Sequence, residues 1–193
     1  AHAYVLLNQL RVNAAIIGQA GVTPAVVLQD IAQNTEFFAK FAKEGGDNIL
    51  KAATFAKSLG SELGAVSGIA ESLLDFESSI EAQLEASLLL GRQINLDRAR
   101  QLFFVGKTEQ GLQEVLRQVG SEAEFTRLLP IQRQKLASAV GLNVEQLSRL
   151  VRNNAAGATG AAVGAAMGGD GQSVDFLSQI ADNTRKTYKG IQG

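Results

Sequence analysis

The feature that most constrains this chain is a run of apolar residues spaced alternately three and four positions apart. The run comprises Val66, Ile69, Leu73, Phe76 and Ile80. This spacing is typical of the a/d seam of a helix that pairs with another helix, because a single helix cannot bury such a seam alone. After Ile80 the steps become four and four, to Leu84 and Leu88, which indicates a stutter. The sequence therefore predicts one long amphipathic helix from Ser61 to Gly91, with an oligomer interface at the five seam residues.

Composition favours helices throughout. Only two prolines, Pro24 and Pro130, occur in 193 residues, and the frequent Ala, Leu, Gln and Glu residues are good helix formers. We expect an all-α chain in which long amphipathic helices precede a compact set of short helices, assembled as an oligomeric coiled-coil-like bundle. The net charge of −1 argues against a general nucleic-acid coat, which would carry a positive excess. Because the chain has no cysteine, it has neither disulfides nor thiolate metal sites.

Glycines and a low-complexity segment divide the chain into four parts. Residues 1–91 are predicted to be long helices that carry the seam, and residues 92–153 a compact domain of short helices. Residues 154–172 are predicted to be a Gly/Ala linker, and residues 173–193 a terminal helix and tail. The chain begins at Ala1 without the ordered regions of a signal peptide, so we expect it to be a piece of a longer product.

Capping residues predict where several helices begin. Thr23 followed by Pro24 predicts the start of a helix that continues to Gly45. Asn95 is expected to cap a later helix, and Ser121 and Glu124 have the spacing of a capping box.

No constellation of residues indicates an enzyme, and neither a cofactor nor a metal is expected. The sole histidine, His2, has no second ligand or base placed near it by the sequence. Glu77, Glu81 and Glu85 share a helix face, which is typical of a solvated stripe. An acid–base pair such as a glycosidase needs is the other interpretation. A cell-wall hydrolase is therefore a third hypothesis, without a convincing catalytic pair.

Residues 132–153 have the spacing of a helix-turn-helix. Ala137 lies in the first helix, Gly141 at the turn, and Leu147 and Leu150 in the second helix, offsets that let two helices cross closely. In a DNA-binding motif the second helix would present polar residues to the major groove, namely Glu145, Gln146, Ser148, Arg149 and Arg152. Two interpretations stay open: a DNA-binding protein that uses this motif, or a helical hairpin used for packing.

Gly160, Gly164 and Gly168 follow the pattern GxxxGxxxG within the Gly/Ala segment. On a helix they would form one smooth face that permits close helix–helix contact, as in membrane dimers. The segment has two interpretations, a helix-contact or membrane-active face and a flexible linker between two helical parts.

Three blocks of the sequence carry a resemblance to a known family. They are GIAESLLDFESSIEAQLEASLLLGRQINLDRARQL at residues 68–102, QVGSEAEFTRLLPIQRQKLASAVGLNVEQLSRLV at residues 118–151, and FLSQIADNTRKTYKG at residues 176–190. In texture and order they resemble segments of the tail tape-measure proteins of tailed bacteriophages. The blocks cover under half of the chain and none is a chemical motif, so the resemblance concerns family character and not a site.

The resemblance implies a structural virion protein located in the tail lumen and baseplate. Tape-measure proteins lie inside the tail tube, set its length during assembly and leave ahead of the DNA at infection. The implied partners are tail-tube and baseplate hub or tail-tip proteins, with a transient contact with the host membrane. DNA is not expected as a specific ligand.

Copy number and length refine this expectation. The seam favours self-association as a trimer, with a hexamer as the alternative. As one helix, 193 residues would span only about 290 Å. We therefore expect this chain to be the compact portion of a longer ruler.

Overall fold

The structure is a computed structural model that describes residues 22–167, with side chains for residues 22–156. Within that range it contains ten α-helices and no strand, which confirms the all-α prediction. A 3₁₀ turn at Glu44–Gly46 precedes the third helix. The helices are α1 Pro24–Gln33, α2 Thr35–Phe41, α3 Asp47–Ser58, α4 Leu63–Leu74, α5 Phe76–Leu90, α6 Asp97–Phe104, α7 Thr108–Val119, α8 Glu122–Arg127, α9 Pro130–Ala139 and α10 Val144–Met167.

One hydrophobic core joins these helices. The chain divides into a compact unit up to Ala155 and a second unit from Ala156. In the first unit α4 contacts α3, α5, α6 and α7, while α5 packs mainly on α9 and α6 mainly on α7. Buried residues on both sides of position 91, among them Leu73 and Leu112, belong to the same core cluster. The boundary expected between residues 91 and 92 therefore lies inside this unit.

The long helix expected from Ser61 to Gly91 is wrong, because the chain breaks it at Asp75. This residue has φ −79° and ψ 85°, ends α4, and serves as the N-cap residue of α5. Aspartate favours helix caps over helix interiors, since its short side chain competes for backbone hydrogen bonds. The break turns two stretches of one sequence pattern into separate helices. The later end was predicted correctly, because Gly91 closes α5 in the left-handed conformation.

A second long helix, expected from Pro24 to Gly45, is also interrupted. Asn34 adopts φ −116° and ψ 47° between α1 and α2. Its side-chain Nδ2 donates to the Asp30 carbonyl oxygen at 2.8 Å, a local bond that competes with helix continuation. The Asp30 carboxylate in turn accepts from the backbone N–H of Leu63 at 2.8 Å and so satisfies the first turn of α4.

The other predicted caps have mixed outcomes. The Ser121 and Glu124 capping box is confirmed, with both reciprocal hydrogen bonds present. The start at Pro24 is confirmed as well. Asn95 is not the N-cap residue of α6, which is Leu96. The Asn95 side chain instead accepts from the backbone N–H of Asp97 at 2.9 Å and shapes the turn before the helix.

The Gly/Ala segment continues α10 as far as Met167, so residues 154–167 are helical and the flexible-linker interpretation does not hold for them. Alanine is the best helix former and outnumbers glycine in this stretch, which offsets the glycine penalty. Gly160 and Gly164 lie on this helix, whereas Gly168 and the predicted terminal helix lie outside the described residues. Among the described helices, none has the length and apolar character needed to cross a membrane.

Candidate interaction surface

The five predicted interface residues divide into two groups. Val66, Ile69 and Leu73 lie on α4 and are at most 1% exposed, within the core of this chain. They have no surface left to offer to another copy, so their assignment to an oligomer interface is corrected. Phe76 and Ile80 lie on α5 and are about half exposed, so they remain available to a partner.

The exposed apolar residues of α5 form one line, which we call the α5 stripe. It consists of Phe76, Ile80, Leu84 and Leu88, with exposed fractions of 49%, 46%, 58% and 84%. The opposite side of the helix packs inward through the buried residues Ser79 and Ala86. The stripe is therefore an apolar surface that no described part of the chain covers.

The exposure along the stripe follows from helix geometry. Four residues of an α-helix turn about 40° beyond a full circle. Each step along the stripe thus rotates the side chain farther around the helix. Phe76 and Ile80 lie at the edge of the packed face, and Leu88 lies on the outermost line. The stripe crosses the outer face of α5 obliquely and does not run parallel to the helix axis.

Helix α6 extends the apolar surface at the Phe76 end. The chain from Ile94 into α6 runs antiparallel to α5. Ile94 N–H donates to the Ser87 hydroxyl and Leu96 N–H to the Gln83 side chain, each at 3.1 Å, and Arg100 within α6 donates to Ser79. This register carries the last turn of α6 to the start of α5. Phe104, at that end, is 70% exposed.

Helix α9 extends the surface at the Leu88 end. Gln132 Nε2 donates to the Leu89 carbonyl oxygen at 2.8 Å, and Lys135 Nζ lies 2.6 Å from Glu85 Oε1. These contacts place the start of α9 beside the end of α5. Leu129 and Ile131, at the start of α9, are both exposed, as is Leu89. We call the α5 stripe together with Leu89, Phe104, Leu129 and Ile131 the oblique patch.

A buried arginine fixes α5 against α6. Arg100, 4% exposed, donates from Nε to the Ser79 hydroxyl at 2.9 Å and from Nη2 to the Ser79 carbonyl oxygen at 3.1 Å. Its third bond reaches Asp97 Oδ1 at 2.7 Å. Because the guanidinium fork joins three acceptors, it holds the stripe in a fixed orientation.

One flank of the stripe is acidic. Glu77 and Glu81 are exposed and make no ion pair within the described residues, whereas Glu85 pairs with Lys135. All three glutamates are exposed on α5, as the residues of a solvated flank would be. No side-chain contact joins them into an acid–base pair.

The predicted helix-turn-helix has its two helices and its turn at the predicted residues. α9 and α10 flank a turn at Gly141, which has φ +77°, and Ala137, Leu147 and Leu150 are buried. A Cβ at Gly141 would meet Ser72 and lie 2.8 Å from the Gly68 carbonyl oxygen, so the turn packs tightly on α4. On the second helix, Arg149 pairs with Glu145 at 2.8 Å, and Arg152 lies 3.9 Å from Glu122.

A groove of about 920 Å³ lies between α6 and α7. It is lined by both charge signs, including Arg98, Arg117 and Glu114. Hydrogen bonding from Arg117 lowers the pKa of the Glu114 carboxyl, against the opposing effect of burial. Gln118 and Arg98 add to the lowering. Arg98 and Arg117 are thus engaged with a carboxylate of the chain itself.

Comparisons with known proteins return no match. A scan against protein-family models finds no family that fits the chain, and searches of curated proteins and of solved structures find no similar protein. In the part of the chain that the structure describes, no group of three or more His, Asp or Glu side chains is arranged to hold a metal ion.

The seam pattern predicted apolar residues available to a partner on both helices. They are exposed on α5 but buried on α4. A spacing of three and four residues is shared by a seam that faces another chain and by one that faces the core, so it could not separate them. The signal that could have done so is the change to steps of four at Leu84 and Leu88. Sequence reasoning missed Phe104, Leu129 and Ile131, because isolated apolar residues at helix ends have no periodicity.

Proposed function

We propose that this chain is a structural virion protein, a compact segment of a phage tail tape measure that self-associates through α5. In this proposal it lies in the tail lumen at the baseplate hub and leaves with the DNA at ejection. The proposal rests on the family resemblance of residues 68–102 and 118–151, together with the exposed stripe that the first of these blocks carries on α5.

The observation that carries the proposal is that these two blocks form one packed substructure. The first block contains most of α4, all of α5 and most of α6, and the second runs from the end of α7 into α10. Contacts such as Lys135 with Glu85 and Gln132 with the Leu89 carbonyl join them. The two blocks that resemble tape-measure proteins thus lie in one structural unit that presents an apolar surface.

The main reason to expect a trimer no longer applies. That expectation depended on a continuous seam from Val66 to Ile80, and the α4 half of the seam is buried within the chain. Self-association through α5 is retained in the proposal, together with tail-tube and baseplate proteins as partners. A transient contact with the host membrane through the Gly160 and Gly164 region belongs to the proposal as well.

The phage role is tested in the virus that encodes the chain. Purified tails analysed by mass spectrometry and electron microscopy should contain it near the tip. A parent protein shortened in its other helical parts should give tails shorter by about 1.5 Å per residue removed. Tails that lack the chain, or that keep their length after such deletions, would contradict the proposal.

The alternative function is DNA binding through residues 132–153. The placement of the two helices and the turn is compatible with it, but both arginines of the second helix lie near carboxylates, and Gly141 packs closely on α4. These contacts favour the packing hairpin. A DNA-binding assay at several salt concentrations separates the two, since a true DNA-binding protein loses affinity steeply as salt rises.

A further inference from the structure

We propose that the oblique patch pairs two copies of this chain, with their α5 helices crossing at about −50° and not running side by side as a coiled coil. The inference rests on the self-association part of the proposed function, and it adds the geometry and the symmetry of the contact. It does not depend on the phage role.

The spacing of the stripe selects this crossing. Residues four apart form a ridge inclined about 26° to the helix axis, and two such ridges pack into each other's grooves when the axes cross near −50°. A parallel coiled coil instead needs a period of 3.5 residues. The steps from Phe76 to Leu88 are all four, and exposure rises from 46% at Ile80 to 84% at Leu88, as an oblique ridge requires.

A second copy of this chain is the partner that matches the ridge. Packing of this class needs the same kind of ridge on both partners, and a two-fold pair supplies it because both subunits present one surface. The length of α5 points the same way. Its 15 residues, bounded by Asp75 and Gly91, span about 22 Å, which is barely two heptads of a coiled coil.

The lateral extent of the patch also fits a crossing helix. Phe104 flanks the stripe on the α6 side at one end, and Leu129 and Ile131 flank it on the α9 side at the other. A parallel partner helix would cover only the stripe, whereas a crossing partner reaches both flanks. The flanking residues therefore belong to the same contact.

The exposed area is adequate for a specific pair. The stripe alone exposes on the order of 450 Å² and the whole patch on the order of 900 Å², against about 800 Å² per partner in a standard interface. Apolar patches on monomeric proteins rarely exceed a few hundred Å². A two-fold contact builds even-numbered assemblies, which include the hexamer but not the trimer.

Sedimentation equilibrium of the full chain tests the pairing. The wild-type chain should be a dimer, or a multiple of one, that dissociates on dilution. The double variant Leu84→Asp/Leu88→Asp should raise the dissociation constant by about 30-fold or more, the loss expected for central anchors. Val26→Asp, at an apolar residue of α1 that is 45% exposed, is the control outside the patch and should leave the association unchanged.

Cross-linking tests the crossing, since the chain has no native cysteine. A disulfide needs Cα atoms within about 7 Å, so Leu84→Cys near the crossing should link two copies, whereas Phe76→Cys should not. Linking at residue 76 alone, or equally at both positions, would overturn the crossing geometry. A trimer that the double variant disrupts would overturn the two-fold pair but leave self-association standing. A chain that is monomeric at all concentrations would overturn both, and the tail experiments would still decide the phage role.

Discussion

Helices α4 and α5 are consecutive in the chain and continue one apolar rhythm, yet they have opposite environments. The apolar residues of α4 are among the most deeply buried in the described part of the chain, and those of α5 are among the most exposed. A single residue, Asp75, separates them and lets the chain change direction. The periodicity of apolar residues therefore indicates which side of a helix is apolar, but not what covers that side.

The largest expected loss of stability comes from a substitution in α4. Leu73→Asp should destabilise the fold by about 4 kcal/mol or more, because it places a charge where no water or partner can reach. Leu88→Asp, on α5, should change the stability of the dissociated monomer by no more than about 0.5 kcal/mol. Urea unfolding followed by circular dichroism measures both. Equal stability losses for the two variants would erase the distinction between the helices.

The next largest loss of stability is expected at Arg100, whose hydrogen bonds to Ser79 orient α5. Arg100→Met should destabilise the fold by about 2 kcal/mol, because it leaves the buried Ser79 groups without their donors. It should also weaken association, since the stripe loses its fixed orientation. Lys in place of Met should recover part of the stability. A fully stable Arg100→Met chain would show that core packing alone holds α5.

Two glycines distinguish a turn that packs on α4, at Gly141, from a turn with open space around it, at Gly91. Gly141→Ala should cost about 2 kcal/mol, because the residue has φ +77° and its Cβ would clash with α4. Gly91→Ala should cost only about 1 kcal/mol, since its φ is +64° but no atom lies within 4 Å of the added carbon. The difference between the two melting curves isolates the contact of the α9–α10 turn with α4.

The smallest effect serves as a control remote from α5. Glu114→Gln should destabilise the fold by about 1 kcal/mol at neutral pH, through loss of its bonds to Arg117. Because the pKa of Glu114 is lowered in the folded state, its contribution is present above the unfolded pKa and disappears as the pH falls through the folded value. The wild type and the variant should therefore converge in acid. Association through α5 should be unaffected at neutral pH.

The sequence was informative about helix content and about several caps. Scarce proline and abundant helix formers predicted the all-α class, and Ser121 with Glu124 predicted a capping box that is present. The breaks at Asn34 and Asp75 were missed because each lies inside an otherwise favourable helix pattern. At Asn34 the side chain competes for a backbone bond, by donating to the Asp30 carbonyl oxygen. The oblique patch was only partly predictable, because Phe104 and Leu129 reach it through the antiparallel packing of α6 and α9 on α5.

The most direct test of the contrast between α4 and α5 is amide hydrogen exchange of the full chain over a range of protein concentrations. Exchange in α4 should be slow at every concentration, because its protection comes from the core of one chain. Exchange in α5 should slow markedly as concentration rises and copies pair, and this change should be absent in Leu84→Asp/Leu88→Asp. Protection of α5 that equals that of α4 and does not vary with concentration would contradict the account.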